Sequence, residues 1–284
     1  MSVSDPDEQR ARGRESWERA APGWDRRADG VRDWGLPVSA AMLDALDLVP
    51  GERVLELAAG PGDTGFMAAE RIRPGGELIS SDGSEAMLEV ARRRAATAGL
   101  DNVEFRQLEL EWIDLETATV DAVLCRWGIM LIVDPEAAAR EIRRVLRPGG
   151  RAALSVWDAP ERNPWTTIPS QAMTDLGHAP PPDRNAPGMF ALAGEGRLAE
   201  LLQGAGFVEV SISPVALERR FQSAEEYLEE TVDLSANLAA AFTDLDSGQR
   251  AEVLERIGAA AGAFRAGDGS LVLPGSSLVA SAGA

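Results

Sequence analysis

Three glycines and four carboxylates carry the chemistry that this sequence offers. Gly60, Gly62 and Gly65 stand in V-L-E-L-A-A-G-P-G-D-T-G (Val54–Gly65), after a strand pattern and before a helical one. Glycines so placed let the backbone turn tightly and approach a ligand beside a helix N-terminus. By itself such a run also describes an ordinary βα turn. Asp82 follows the second strand pattern, twenty residues after Gly62. In a doubly wound sheet the end of strand two lies beside the end of strand one, where a carboxylate can accept both hydroxyl hydrogens of a ribose. Its competing role is to cap the helix that opens near Ser84. Glu109, just past the third strand pattern, would meet an adenine amino group or solvent, with Glu111 a rival for the same position. Glu56 and Asp63 add negative charge to the turn itself. Such charge disfavours a pyrophosphate and favours a cationic ligand. S-adenosylmethionine combines an ammonium, a sulfonium, a ribose and an adenine, and so fits this set better than a nicotinamide dinucleotide.

The elements that must position these residues follow from the hydrophobic pattern. Strands are expected at Arg53–Leu57, Glu77–Ser81, Val103–Gln107, Val120–Cys125 and Arg151–Trp157, separated by helices at Gly65–Arg71, Ser84–Ala98 and Pro135–Leu146. Repeated β-α units of this length predict an α/β, doubly wound, Rossmann-like parallel sheet with helices on both faces. Before it, residues 1–7 read as a solvated tail. Helices are expected at Glu8–Ala21 and Pro37–Leu48, broken by a loop at Pro22-Gly23-Trp24. Residues 158–193, with Pro180-Pro181-Pro182, predict a long loop. A helix at Glu195–Gly204, a strand at Phe207–Ser213, helices at Ser223–Phe242 and Ser247–Phe264, and a last strand at Ser270–Ala280 complete the reading. The chain thus divides into an N-terminal helical lid segment (1–48), a ligand-binding core (49–157), a Pro-rich substrate-side insertion (158–193) and a C-terminal part of the core (194–284) with a helical insertion at 215–268.

Composition excludes several classes. The 284 residues carry a net charge of −18, which disfavours nucleic acid and anionic lipid as partners. All 28 basic residues are Arg, so neither a Schiff-base lysine nor a Walker-type lysine is present. With one Cys (Cys125) and one His (His178), disulfide frameworks and Cys or His metal clusters are excluded, and no metal is expected. No apolar run has membrane-spanning length, the N-terminus lacks an apolar signal region, and a free Cys in an apolar strand suits a reducing cytoplasm.

The turn, the S-D-G-S-E-A-M-L run (Ser81–Leu88), V-E-F-R-Q-L-E-L-E (Val103–Glu111), V-D-A-V-L-C-R-W-G (Val120–Gly128) and V-L-R-P-G-G-R-A-A-L-S-V-W (Val145–Trp157) together resemble the class I S-adenosylmethionine-dependent methyltransferase family, in its small-molecule, ubiquinone/menaquinone-type branch. The match spans Val54–Trp157, about a third of the chain. The resemblance implies a seven-stranded sheet whose last strand is antiparallel, and roles for individual residues. Glu56 would lie near the methionine end of the cofactor. Gly60 and Gly62 would allow close approach. Asp82 would hold the ribose, with Gly83 against the adenosine. Met87, Glu109 and Leu110 would border the adenine, and Arg126 would stand between cofactor and substrate opening. Ala58 replaces the first expected glycine, and Asp63 occupies a third-glycine position.

Methyl transfer needs alignment in a dry pocket more than a protein nucleophile, so one His suffices. His178 is a candidate base, or else a solvent-exposed residue of a polar Pro-rich loop. Trp17, Trp24, Trp165, Met189 and Phe190, with Trp34, Met173, Tyr227 and Phe242, are candidates to cover an apolar small-molecule acceptor, or else simply pack helices onto the core. The arginines of Arg10–Arg32, interleaved with acids, predict a solvated, salt-bridged helix face. Other chemistry on the same fold, such as cyclisation, an NAD-type oxidoreductase and a non-catalytic binding protein are the competing readings.

Overall fold

The computed structural model describes residues 5–181, 186–194 and 196–284. Most of the expected tail (1–4), Pro182 of the proline run and the Glu195 start of a helix lie outside the described residues. The core alternates β1 (Arg53–Glu56), α2 (Asp63–Arg71), β2 (Glu77–Asp82), α3 (Glu85–Ala98), β3 (Val103–Gln107), β4 (Val120–Arg126), α4 (Pro135–Val145) and β5 (Leu146–Trp157), preceded by the long helix α1 (Pro6–Leu46). After it come α5 (Pro164–Asp175), α6 (Arg197–Gly204), β6 (Val208–Phe221), α7 (Ala224–Leu234), α8 (Ala236–Thr243), α9 (Ser247–Ala261) and β7 (Leu271–Gly283).

The strand order is β3-β2-β1-β4-β5-β7-β6. β1 pairs in parallel with β2 and β4, and β7 runs antiparallel to β5 and β6. This is the seven-stranded Rossmann-like sheet that the alternation and the resemblance imply. The order reverses between β1 and β4, and the crevice outside the carboxyl ends of such a pair is where ligands bind in open α/β sheets. β4 lies inside the sheet with both faces covered and is accordingly apolar from Ala122 to Cys125, while Asp121 near its start accepts the Arg53 N–H.

Four expectations are corrected. First, α1 is one helix of 41 residues that runs through Pro22 and Pro37, not two helices with a loop. An internal proline costs roughly 3 kcal/mol, and here tertiary packing offsets it. Val31, Val38, Met42, Leu43 and Leu46 are completely buried along its inner face. Gly23 is also required there, because a Cβ would lie 1.9 Å from the Asp233 carbonyl oxygen at the end of α7. Second, the expected loop at 158–193 contains α5, entered through Pro164 at its first turn, where a missing N–H costs nothing. Third, β6 continues to Phe221, so residues 215–221 are strand and the helical insertion begins later. Fourth, the expected helix Ser223–Phe242 is two helices. Ser235 is extended between them, and its hydroxyl accepts from the Leu238 N–H to cap α8.

Candidate functional site

The glycine turn hangs from two strands. Leu57 N–H donates to the Leu124 carbonyl and Ala59 N–H to the Ser81 carbonyl, both at 2.9 Å, extending the ladder past β1. The backbone then takes positive φ at Ala58 (51°), Gly60 (54°) and Gly62 (92°). Gly62 is obligatory for a second reason, since a Cβ would sit 2.4 Å from the Phe66 ring. At Gly60 no atom lies within 4 Å of the Cβ position, so the turn is open on that side. Ala58 keeps its methyl because Gly128, after β4, lacks one: a Cβ on Gly128 would be 2.4 Å from that of Ala58. Sequence reasoning missed Gly128. Its signal was a glycine two residues past the end of β4, opposite the departure at Ala58.

The carboxylates near the turn are organised by backbone donors and arginines. Asp82 Oδ2 accepts from Gly60 N–H and Oδ1 from Ser84 N–H, both at 2.9 Å. It is not the helix cap, a task done by the Ser84 hydroxyl, which accepts from Met87 N–H. Burial pushes the Asp82 carboxyl up to about 6, against the two backbone hydrogen bonds. Glu56 lies beneath α2, where Oε1 accepts from Gly65 N–H at 2.6 Å and Oε2 from the Ser80 hydroxyl at 2.9 Å. Burial pushes it up to about 8, opposed by Ser80, by Gly65 and by the charge of Arg126. Asp63 accepts from Arg94 Nη2 at 2.6 Å and pairs with Arg126 at 3.7 Å. The expectation of two unbalanced negative charges at the turn is therefore corrected. Asp63 is neutralised by arginines from α3 and β4, and burial favours the protonated form of Glu56. The charge argument against a pyrophosphate weakens accordingly.

α1 crosses the rim that these residues form. Glu109 pairs with Arg14 at 3.0 Å, and Glu111 takes Arg10 on both oxygens at 3.0 Å. Glu18 accepts from the Glu85 and Ala86 N–H groups at the start of α3, at 2.8 and 3.2 Å. Ser39 on α1 bonds Thr64 on α2 at 2.9 Å. Several arginines of α1 thus bind the core, where a solvated, salt-bridged helix face was expected; Arg12, Arg19 and Arg32 keep to neighbours on the helix. Gly83 lies beside Glu109, whose carboxylate is 3.3 Å from the Gly83 Cβ position, and Leu110 is buried near Gly128. Trp17 and Trp24 meet edge to face at 6.0 Å and pack with Ala20 and Ala21 against Met87. They stand at the α3 end of the rim, apart from Trp165.

Trp165 belongs to a second group. Trp127 stacks on Trp157 with centroids 4.4 Å apart, Trp34 stacks on Trp127 at 5.3 Å, and Trp165 meets Trp157 at 4.9 Å and Trp34 at 6.0 Å. Trp127 takes φ of 59° and donates its indole N–H to Ser277 at 2.9 Å. The Arg219 guanidinium carbon lies 4.7 Å from the Trp34 ring centre and 4.5 Å from that of Trp165. Arg126 stands over Trp127 at 4.7 Å, joining this box to Asp63 and the turn. Met189 is half-buried and accepts from the Thr166 hydroxyl, and Phe190 is half-buried against the core. His178 follows α5, with its backbone N–H donating to the Met173 carbonyl and Nε2 buried with no hydrogen-bond partner among the described residues. No hydrogen bond or ion pair links its ring to the rim among the described residues. Trp127, Trp157 and Arg219 were not expected as site residues: Trp157 reads as a strand residue, Trp127 follows the fourth strand, and Arg219 falls in the expected helical insertion. Among the described residues no cluster of His, Cys, Asp or Glu is placed to hold a metal ion, and no helix is long and apolar enough to cross a membrane.

Residues 48–180 match the family model described as a methyltransferase domain. The chain is 32% identical over 198 residues to the nocamycin O-methyltransferase of Saccharothrix syringae, covering 66% of this chain and 71% of the relative. It is 39% identical over 112 residues to a demethylmenaquinone methyltransferase of Clavibacter sepedonicus, covering 39% of this chain but only 44% of that relative's length. Among solved structures, a protein from Bacillus halodurans C-125 assigned as a methyltransferase shares the fold over 86% of this chain and 97% of its own, with a TM-score of 0.56 at 19% identity.

Proposed function

The chain belongs to the class I S-adenosylmethionine-dependent methyltransferases, and from that premise we propose that it transfers a methyl group from S-adenosylmethionine to a small, largely apolar acceptor. The observation that carries the reading is the state of Asp82. A carboxylate offers about four acceptor positions; Gly60 and Ser84 fill one on each oxygen. The two that remain match the two hydroxyls of a ribose, beside a turn left open at Gly60. Gly83, Met87, Glu109 and Leu110 would border the adenine, and Glu56 and Arg126 the methionine end.

The cofactor, when bound, supplies an already activated methyl group. The chain has to orient the acceptor and exclude water. α1 suits the second task, since its ion pairs with Glu109 and Glu111 and its Glu18 contact fasten it across the rim. The tryptophan box suits the first, offering flat apolar walls on the β4–β5 side. A general base is needed only for an acceptor that must lose a proton, which accords with a chain that has a single His.

Calorimetry on the full chain with S-adenosylmethionine, S-adenosylhomocysteine and NAD tests the reading. Binding of the first two with NAD inert is the expected result; NAD binding with neither sulfur compound bound overturns it. An acceptor product heavier by one CH2 distinguishes methyl transfer from cyclisation.

A further inference from the structure

The tryptophan box contains donors without acceptors. Arg219 is 1% exposed, and its Nη2 is held by Glu230. Among the described residues its Nε and Nη1 have no partner, and neither has the indole Nε1 of Trp34, against which the guanidinium lies. Those three nitrogens carry four N–H hydrogens. A buried donor left unpaired costs about 1–3 kcal/mol, and a buried guanidinium adds a desolvation cost that Glu230 offsets only at one nitrogen. The box is therefore rich in hydrogen-bond donors and walled by π faces. Trp127 also holds a backbone conformation that is strained for a large side chain, a feature found where surrounding structure enforces a functional geometry.

What such a site lacks is an acceptor group on a flat body. We propose that the methyl acceptor is a planar conjugated molecule bearing one oxyanion, a carboxylate or an enolate, which Arg219 and the Trp34 N–H receive inside the box; this rests on the methyltransferase reading above. The flat body enters by parting indole rings that now touch one another, and the anion takes the unpaired N–H groups. Continuity with the cofactor side runs through Arg126, which touches both the Trp127 ring and Asp63 of α2. Arg219 is then the residue that selects an acidic acceptor over its neutral isostere. Such selection is strong because a neutral analogue leaves buried donors unpaired.

The test titrates the full chain, saturated with S-adenosylhomocysteine, with benzoate, 2-naphthoate and 2-anthroate, each against its own primary amide. Calorimetry and tryptophan fluorescence are the readouts. At least one acid is expected to bind ten or more times more tightly than its amide. Arg219→Met is expected to lose that preference while keeping its affinity for S-adenosylhomocysteine, which also reports that it is folded. Acids that bind no better than their amides on the unaltered chain overturn the proposal, whatever the variant does. A preference that survives in Arg219→Met overturns it too. If S-adenosylhomocysteine fails to bind, the methyltransferase reading fails. The acid and amide pairs are then titrated on the free chain, and the box is judged by that result alone.

Discussion

Replacing Asp82 by Asn tests the site most directly, because the side chain keeps its size and loses half of its acceptors. The carboxylate accepts one backbone N–H on each oxygen. An Asn amide has one oxygen to offer, so it can keep either the Gly60 or the Ser84 bond, and its NH2 then faces the other N–H, donor against donor. The free protein loses one hydrogen bond to a charged group, worth about 1.5–3 kcal/mol, and leaves one donor facing a donor. The ribose loses more. Of the two acceptor positions that would take its hydroxyls, one disappears with the second oxygen, and the other passes from a charged to a neutral acceptor. At about 1.5–3 kcal/mol per charged bond, roughly 3 kcal/mol of binding is lost, or ~100-fold in affinity. Calorimetry with S-adenosylmethionine at pH 8 checks this, with the thermal midpoint measured alongside. An affinity within threefold of the parent, together with a lowered midpoint, would refute the ribose role and leave Asp82 as a brace for the turn.

Glu56 links cofactor binding to pH. Its carboxyl, raised by burial to about 8, keeps in the folded state a proton that the unfolded chain loses near its ordinary pKa of about 4.5. The free protein should therefore lose stability from Glu56 as pH rises between those values, and Glu56→Gln should flatten that slope in thermal melts from pH 5 to pH 8. A cationic ligand nearby favours the ionised form, so S-adenosylmethionine binding at pH 7 should release protons; equal apparent heats in phosphate and Tris buffers would contradict this. Gly65→Ala forces a Cβ to within 2.0 Å of the buried Glu56 carboxylate, and a loss of about 1–3 kcal/mol in denaturant unfolding is expected. Cys125 is buried, with its thiol pushed up to about 12 by burial. It should resist a thiol reagent in the native protein and react at once in denaturant; rapid native labelling would show the strand core to be open.

The parts of the fold legible in the sequence were those written in neighbouring residues. Apolar runs that follow Pro74-Gly75-Gly76 and Arg147-Pro148-Gly149-Gly150 announce β2 and the Arg151–Trp157 part of β5, which in fact begins at Leu146, and Gly99 marks the end of α3. Where local signals misled, a tertiary contact opposed them. Pro22-Gly23 is a turn signal in isolation, yet α1 passes through it because buried side chains on its inner face outweigh the proline cost and Gly23 admits the Asp233 carbonyl. The candidate site divides in the same way. Gly60, Gly62 and Asp82 were legible because strand, turn and strand end follow in order. That Asp63 is neutralised by Arg94 and Arg126 was not, since the partners come from α3 and β4.

The sequence by itself determined the class of the sheet, the glycine turn and the carboxylate that braces it, because periodicity and backbone permissiveness act over a few residues. Only the tertiary structure decided that one long helix straps the rim. It alone brought Trp34, Trp127, Trp157, Trp165 and Arg219 into one box. Those five residues come from α1, the two strand ends, α5 and β6, and no spacing rule joins them. Their meeting follows from how strands and helices stack, which long-range burial fixes after the local elements have formed.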